Sequence, residues 1–492
     1  MHTLGLPPEL ADLQRRVVGV ASGYGLDFFE TVFEMVTTEQ INTIAAYDGF
    51  PVRYRHWRFG MAYDRIEKSS SWGLSKIYEL VINNDPCYAY LLKGNLFVDQ
   101  KLVMAHVYGH CDFFKNNAWF APTNRHMVDE LASHAVRMES HARNHGQDKV
   151  EEFLDSCLSL ENLIDIYAPY TPPKRRSDDE EETGREVVRF KAKPYMESFI
   201  NPPEVMAEEQ KEIEAERDAR QPFPERPERD VMKFLMETAP LRPWQKDCLA
   251  MVREEAYYFA PQRLTKIMNE GWASYWHSKM MTEHLCDTSD ILDFAERHAG
   301  AMAMSGEQIN PYKLGIELYR NIEERWDKGR FGKEYDDCRD YDAKQRWDTG
   351  LGEGRKKIFD VRHTYNDVTF VDTFLTPSFC DEQKLFTYAF NPQTGRKEVT
   401  GRDFGEVKAR LLQQLANGGQ PIIEVTNGNF GNRGELVLTH RHDELDLDAN
   451  MAAQTMQHLH RVWTRPVHIE TILEGKPTRL SFDGEKHTSE AI

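Results

Sequence analysis

From Asp99 to Phe114 the chain reads DQKLVMAHVYGHCDFF. Its apolar residues recur at helical spacing, which predicts a helix with a buried face. His106 and His110 sit one helical turn apart in it, so their imidazoles share a face and can bind one metal ion. The zinc-hydrolase helix HExxH adds a glutamate that activates the metal-bound water. Val107 stands in that glutamate's place. The ligand pair is therefore present without the built-in base. HxxxH is a short motif, and two buried histidines hydrogen-bonded to their neighbours satisfy it equally well.

A third ligand is expected from Met268–His277, MNEGWASYWH. Helical zinc hydrolases take a carboxylate from a later helix, and Glu270 fits that role; a solvated or arginine-paired helix carboxylate is the plain alternative. His277 lies on the same face as Glu270 but about 10 Å further along the axis. One ion cannot take both, so His277 is expected to support a ligand, to face substrate, or to be unrelated. Trp272, Tyr275 and Trp276 read as core.

With valine at 107, a general base has to come from elsewhere. Glu254, Glu255, Glu130 and His134 are the candidates, in that order. Glu130 and His134 belong to the stripe His126, Asp129, Glu130, His134, Arg137, His141, whose spacing puts its members on one helix face. There His134 can complete a metal site or orient a ligand through a carboxylate; a solvated face would look the same. In Tyr47–Gly60, YDGFPVRYRHWRFG, the arginines Arg53, Arg55 and Arg58 interleave with aromatics. They can grip a substrate carboxylate or carbonyl, or pack as a loop with cation–π contacts.

The bulk properties set limits. A net charge of −19 over 492 residues argues against nucleic acid held by a basic field. The start, MHTLG, lacks a basic region followed by an apolar core, and no run of about 18 apolar residues spans a membrane. Seven cysteines without a CxxC pair suit a reducing compartment, so a cytoplasmic protein is expected. A P-loop and a GxSxG elbow are both absent. His440, His442, His458, His460 and His468 are numerous, but their spacing is that of strands and an exposed helix.

The organisation follows from periodicity. Helical spacing covers Leu26–Ala46, 99–114, 124–144 and 150–158. The stretch 172–229 holds eight of 23 prolines and the acidic run 178–182, and reads as a linker or surface excursion. Helices are expected again at about 243–259 and 261–283, each opening on a proline. Further on come a strand at 384–390, a helix at 403–416, strands at 421–426 and 435–439, a helix at 448–462, and strands at 466–473 and 478–482. Gly428–Gly434 reads as a hairpin loop. This predicts a mostly α, zincin-like domain (1–171 and 230–375, around the linker 172–229) and a smaller α+β domain (380–485) of ferredoxin-like order β-α-β-β-α-β.

Several long strings resemble one family. They are YGLDFF at Tyr24–Phe29, AYDGFPVRYRHWRFG at Ala46–Gly60, GLSKIYELVINN at Gly73–Asn84 and KLVMAHVYGHCDFFKNN at Lys101–Asn117. SLENLID at Ser159–Asp165, EEAYYFAP at Glu254–Pro261, TKIMNEGWASYWH at Thr265–His277 and RPVHIET at Arg465–Thr471 continue the match. On these strings the chain resembles the stage V sporulation protein R (SpoVR) family over nearly its whole length outside the linker. The resemblance implies a link to sporulation or stress physiology, and association with a serine protein kinase and a von Willebrand-type protein. It carries no catalytic residues to map.

The leading expectation is a metal-dependent hydrolase of an amide or peptide, with His106, His110 and Glu270 on a divalent metal, zinc ahead of iron. Cell-wall material is the substrate class that the resemblance suggests. Two alternatives stand beside it. One is a non-enzymatic regulatory or scaffold protein working with the kinase. The other is a non-haem iron oxidoreductase, since two histidines and a carboxylate also suit iron.

Overall fold

The computed structural model describes residues 5–71, 79–171, 202, 206, 223–303, 309–391 and 395–492. The acidic run 178–182 and most of the proline-rich stretch 172–229 lie outside the described residues, as does 72–78. The chain forms two compact units: Met1–Glu151 with Glu254–Gln420, and Glu152–Arg253 with Pro421–Ile492.

The first unit begins α1 Pro8–Gly23, β1 Thr31–Val36, α2 Thr38–Ala46, α3 Trp57–Ser71, β2 Glu79–Ile82, β3 Cys87–Leu92, α4 Phe97–Asn116, α5 Met127–His145. The expectation of helix throughout Leu26–Ala46 is corrected, because its middle is a strand. β-Branched Thr31, Val32 and Val36 with Phe33 suit an extended backbone. β1 pairs in parallel with β3, from Thr31 beside Cys87 to Val36 beside Leu92, and β2 joins antiparallel to β3. Thr37 then starts α2 with a capping box: its hydroxyl accepts from Gln40 N (3.3 Å), and Gln40 Oε1 accepts from Thr37 N (2.9 Å).

Helix α4 is buried on every side from Val103 to Phe114, not on one face only. A helix that is apolar nearly all round belongs inside. Helix α6 Pro243–Leu264 belongs to this unit from Glu254 onward, and α7 Lys266–Met280, α8 Ile291–Ala301, α9 Pro311–Asp327, α10 Gly354–Thr364 and α11 Asp367–Phe374 share one buried core with α4. The expected break before Pro261 is also corrected, since α6 runs through it and stops at Leu264. Pro261 brings no N–H to the turn before it, and the helix ends within one turn of it; Thr265 Oγ1 donates to the Pro261 carbonyl at 2.7 Å. Helix α7 gets no side-chain cap from Thr265. Asp367 supplies one from α11, accepting from Ile267 N (2.8 Å) and Met268 N (2.9 Å).

Two close approaches set how these helices meet. A Cβ at Gly109 of α4 would lie 2.6 Å from Ala273 Cα of α7, and one at Gly271 would lie 2.4 Å from Gly315 Cα of α9. Backbones this near require glycine. Gly109 meets Ala273, Asp112 meets Trp272 and His106 meets His277, so α4 and α7 run antiparallel. Trp272 and Trp276 are fully buried core residues, as the sequence reading expects.

After α11, β4 Thr387–Asn391 and β5 Arg396–Gly401 make their own two-stranded sheet, followed by α12 Phe404–Leu415. In the second unit come β6 Ile423–Phe430, β7 Glu435–His440, α13 Ala449–Trp463, β8 Val467–Leu473, β9 Lys476–Phe482 and β10 His487–Ala491. They form one sheet in the order β10-β9-β8-β7-β6. The anticipated order along the chain is present, with β5 and β10 added. The first strand, however, pairs with its near neighbour β5 and not with this sheet. Closing a short hairpin costs less loop entropy than a distant pairing. β6 and β7 form the expected hairpin, with positive φ at Gly431 and Gly434. Ala452, Met456, Leu459 and Val462 recur at helical spacing on α13 and bury it against β8 and β9. Among the described residues no helix is long and apolar enough to cross a membrane.

Candidate metal centre

The antiparallel crossing of α4 and α7 brings His106, His110 and Glu270 together, with ligand atoms all within 4.8 Å of one another. His106 Nε2 and His110 Nε2 each lie 3.5 Å from Glu270 Oε2. All three side chains are buried. Donors about 2.1 Å from an ion at tetrahedral angles stand about 3.4 Å apart. A charge-assisted hydrogen bond would draw the same atoms to about 2.7–2.9 Å. The spacing therefore fits a shared cation better than direct bonds. Among the described residues nothing donates a hydrogen bond to Glu270 Oε2, although it is buried. Such an oxygen costs about 1–3 kcal/mol unless something satisfies it.

The outer edges of the three ligands are held. Glu270 Oε1 accepts from Lys266 Nζ at 2.5 Å, one turn back on α7. His110 Nδ1 lies 2.8 Å from Asn269 Oδ1, so Nδ1 carries the hydrogen and Nε2 offers its lone pair. His106 Nδ1 lies 2.7 Å from His277 Nδ1, and His277 Nε2 lies 3.2 Å from His298 Nδ1 on α8. Burial, reinforced by the neighbouring His106 and His298, holds His277 well below the ordinary imidazole value. A neutral His277 can accept from His106. Burial opposes charge on Glu270 too, while the Lys266 ammonium on Oε1 favours its carboxylate form. A carboxylate and neutral imidazoles are the forms that bind metal.

Beyond His110, Asp112 locks the two helices. It accepts from Trp272 Nε1 (2.7 Å) and Asp27 N (2.7 Å) and lies 3.3 Å from Arg362 Nη1. Burial, partly offset by Arg362, pushes its carboxyl up to about 6.

The sequence matches the family described as SpoVR like protein over residues 6–420, and the SpoVR-like C-terminal domain over 421–474. The chain belongs to the SpoVR family. A relative from Escherichia coli (strain K12), the uncharacterized protein YcgB, is 30% identical over 494 residues, covering 94% of this chain and 90% of its own. No solved structure matches. The His106–His110–Glu270 centre lies in the main SpoVR part of the chain, ahead of the C-terminal domain.

The other expected residues lie outside the His106–His110–Glu270 group. Glu130, His134 and Glu254 form a separate group, with Glu255 bonded to His134. His277 is buried behind His106, on the edge of that ring away from Glu270. Arg53 is buried as well, bonded to Asp48 and Glu255 and 4.7 Å from the Phe59 ring centroid. Carboxylates within the fold thus take one donor from each of its terminal nitrogens. Arg55 is exposed and Arg58 half-buried.

Three supporting residues were not anticipated. Lys266 carried a usable signal, its i,i+4 spacing to Glu270. Asn269 points about 100° round the helix from Glu270, and it reaches His110 because α4 approaches so closely. His298 sits on another helix, with no spacing that links it to the motif.

Proposed function

We propose that this SpoVR-family protein is a metal-dependent hydrolase of an amide or peptide, with one zinc ion held by His106, His110 and Glu270. The observation that carries the reading is the buried Glu270 Oε2, 3.5 Å from two imidazole nitrogens and accepting no hydrogen bond. When bound, zinc in such a site polarises a carbonyl and makes water acidic enough to ionise near neutral pH. Asn269 and His277 orient the two imidazoles, as outer partners of zinc ligands do. Lys266 holds Glu270 by one oxygen and leaves the other for the ion. Val107 is core, so no base acts from the HExxH position. Two ligands on a buried helix and the third on a following helix support reading the helical unit as zincin-like.

The test is metal analysis of the full-length protein, followed by turnover assays on simple peptides and cell-wall-type amides. Zinc and amide hydrolysis should both be lost in His106→Ala, His110→Ala and Glu270→Gln. Zinc binding without metal-dependent hydrolysis of any amide would overturn the hydrolase. Iron at the same residues, with consumption of dioxygen, would replace it by an oxidoreductase.

A further inference from the structure

We propose a second, independent cation site on this protein, formed by Glu130, His134 and Glu254 and suited to a hard divalent ion such as Mn2+. The three offer ligand atoms within 4.8 Å of one another. Glu130 and His134 are one turn apart on α5, and Glu254 comes from α6.

His134 decides the case. Its side chain has no exposure at all. Its Nδ1 lies 2.9 Å from Glu255 Oε1. Glu255 is buried and fixed by Arg53 and by the Tyr54 hydroxyl, which donates to Oε2 at 3.2 Å. Nδ1 is therefore the donor side of the ring, and Nε2 points at the two other carboxylates. Nε2 makes no hydrogen bond among the described residues, although it is fully buried. It stands 3.4 Å from Glu130 Oε1 and 3.5 Å from Glu254 Oε2.

The competing account is an imidazolium bridging two carboxylates. A proton on Nε2 would pull at least one oxygen in to about 2.7–2.9 Å. Neither oxygen is drawn in. Both stop near the about 3.4 Å that separates donors around an ion about 2.1 Å from each. The Glu255–His134 pair is the carboxylate–imidazole arrangement that fixes a metal-ligating ring and makes it more basic. Arg53 balances the Glu255 charge, so Glu255 acts through the ring while Glu130 and Glu254 face the ion.

The donor set also separates this site from the first. One imidazole with two carboxylates is harder than two imidazoles with one, and carboxylate-rich sites suit Mn2+ and similar ions. Access differs too. Glu130 and Glu254 side chains are 34% and 45% exposed, so an ion can enter from solvent above a buried histidine floor.

The test uses the full-length protein stripped of metal, in a His106→Ala background that disables the first site. Mn2+ is added and free Mn2+ is followed by its electron paramagnetic resonance signal. One equivalent should bind, and Glu130→Gln, Glu254→Gln and His134→Gln should each weaken it by about tenfold to a hundredfold or more. The two glutamine replacements at half-exposed positions should leave the metal-free melting temperature unchanged, which separates lost ligation from lost folding. The proposal is overturned if the His106→Ala protein binds no Mn2+ up to millimolar concentration. It is equally overturned if binding survives Glu130→Gln and Glu254→Gln combined.

Discussion

His110 Nδ1 lies 2.8 Å from Asn269 Oδ1, so the ring that presents Nε2 to Glu270 is gripped from behind by the residue next to that glutamate. One short segment of α7 thereby both meets and aims the ligand on α4. Asn269→Leu keeps the volume and removes the acceptor. Zinc affinity, measured by competition with a chromophoric chelator, should fall by about tenfold to a hundredfold. Asn269→Asp keeps an acceptor and should retain most of the affinity. Equal affinity in wild type and Asn269→Leu would show that the ring needs no such support.

The glycines beside the ligands are predicted to be intolerant. Gly109→Ala places a methyl 2.6 Å from Ala273 Cα, and Gly271→Ala places one 2.4 Å from Gly315 Cα. Each should destabilise by about 1–3 kcal/mol or more in urea unfolding, because neither neighbour can retreat without moving a helix. Gly109→Ala wedges the two ligand-bearing helices apart, so the folded fraction should also lose zinc. Gly60→Ala serves as the contrast. Nothing lies within 4 Å of its added Cβ on α3, and it should be neutral or stabilising by up to about 1 kcal/mol.

Stability should carry a pH dependence from Asp367. Burial pushes its carboxyl up to about 7, against the backbone N–H groups of Ile267 and Met268 and the charge of Lys266. The folded value is above the unfolded one of about 3.9. Its contribution is thus complete at acid pH and is lost as pH rises through about 7. In metal-free protein, the urea midpoint of wild type relative to Asp367→Asn should drop between about pH 5 and about pH 8. A difference that stays constant over that range would mean that the carboxyl does not titrate there.

Arg362 should matter most when Asp112 is charged. Arg362→Met leaves a buried carboxylate whose remaining partners are Trp272, the Asp27 amide and a longer contact from Asn116 Nδ2 at 3.4 Å. The expected loss at alkaline pH is about 3–5 kcal/mol. It should shrink toward acid pH, where Asp112 takes up a proton. Chemical denaturation of the variant at both ends of the range measures the difference.

Much of this was legible along the chain. The spacing of His106 and His110, the burial of the 99–114 segment, the hairpin around Gly431 and the alternation of strands and helices beyond Leu385 all follow from local period and turn chemistry. So do Glu270 as a candidate and Val107 as the missing base. The N-terminal strand was not legible, because Thr31–Val36 is extended by pairing with Cys87–Leu92, far along the chain. Pro261 was misread as a helix start because only the packed structure shows α6 continuing past it.

Sequence by itself determined which residues could act and which helix face each occupies, since a period is a property of one segment. Tertiary structure alone decided which faces meet. Gly109 on Ala273 sets α4 antiparallel to α7 and delivers Glu270, Asn269 and His277 to the two histidines. The meeting of α5 with α6 gathers Glu130, His134, Glu254 and Glu255 into a second group of their own. No local pattern encodes those pairings, because close packing between distant helices selects them, and one added methyl at the crossing would forbid them.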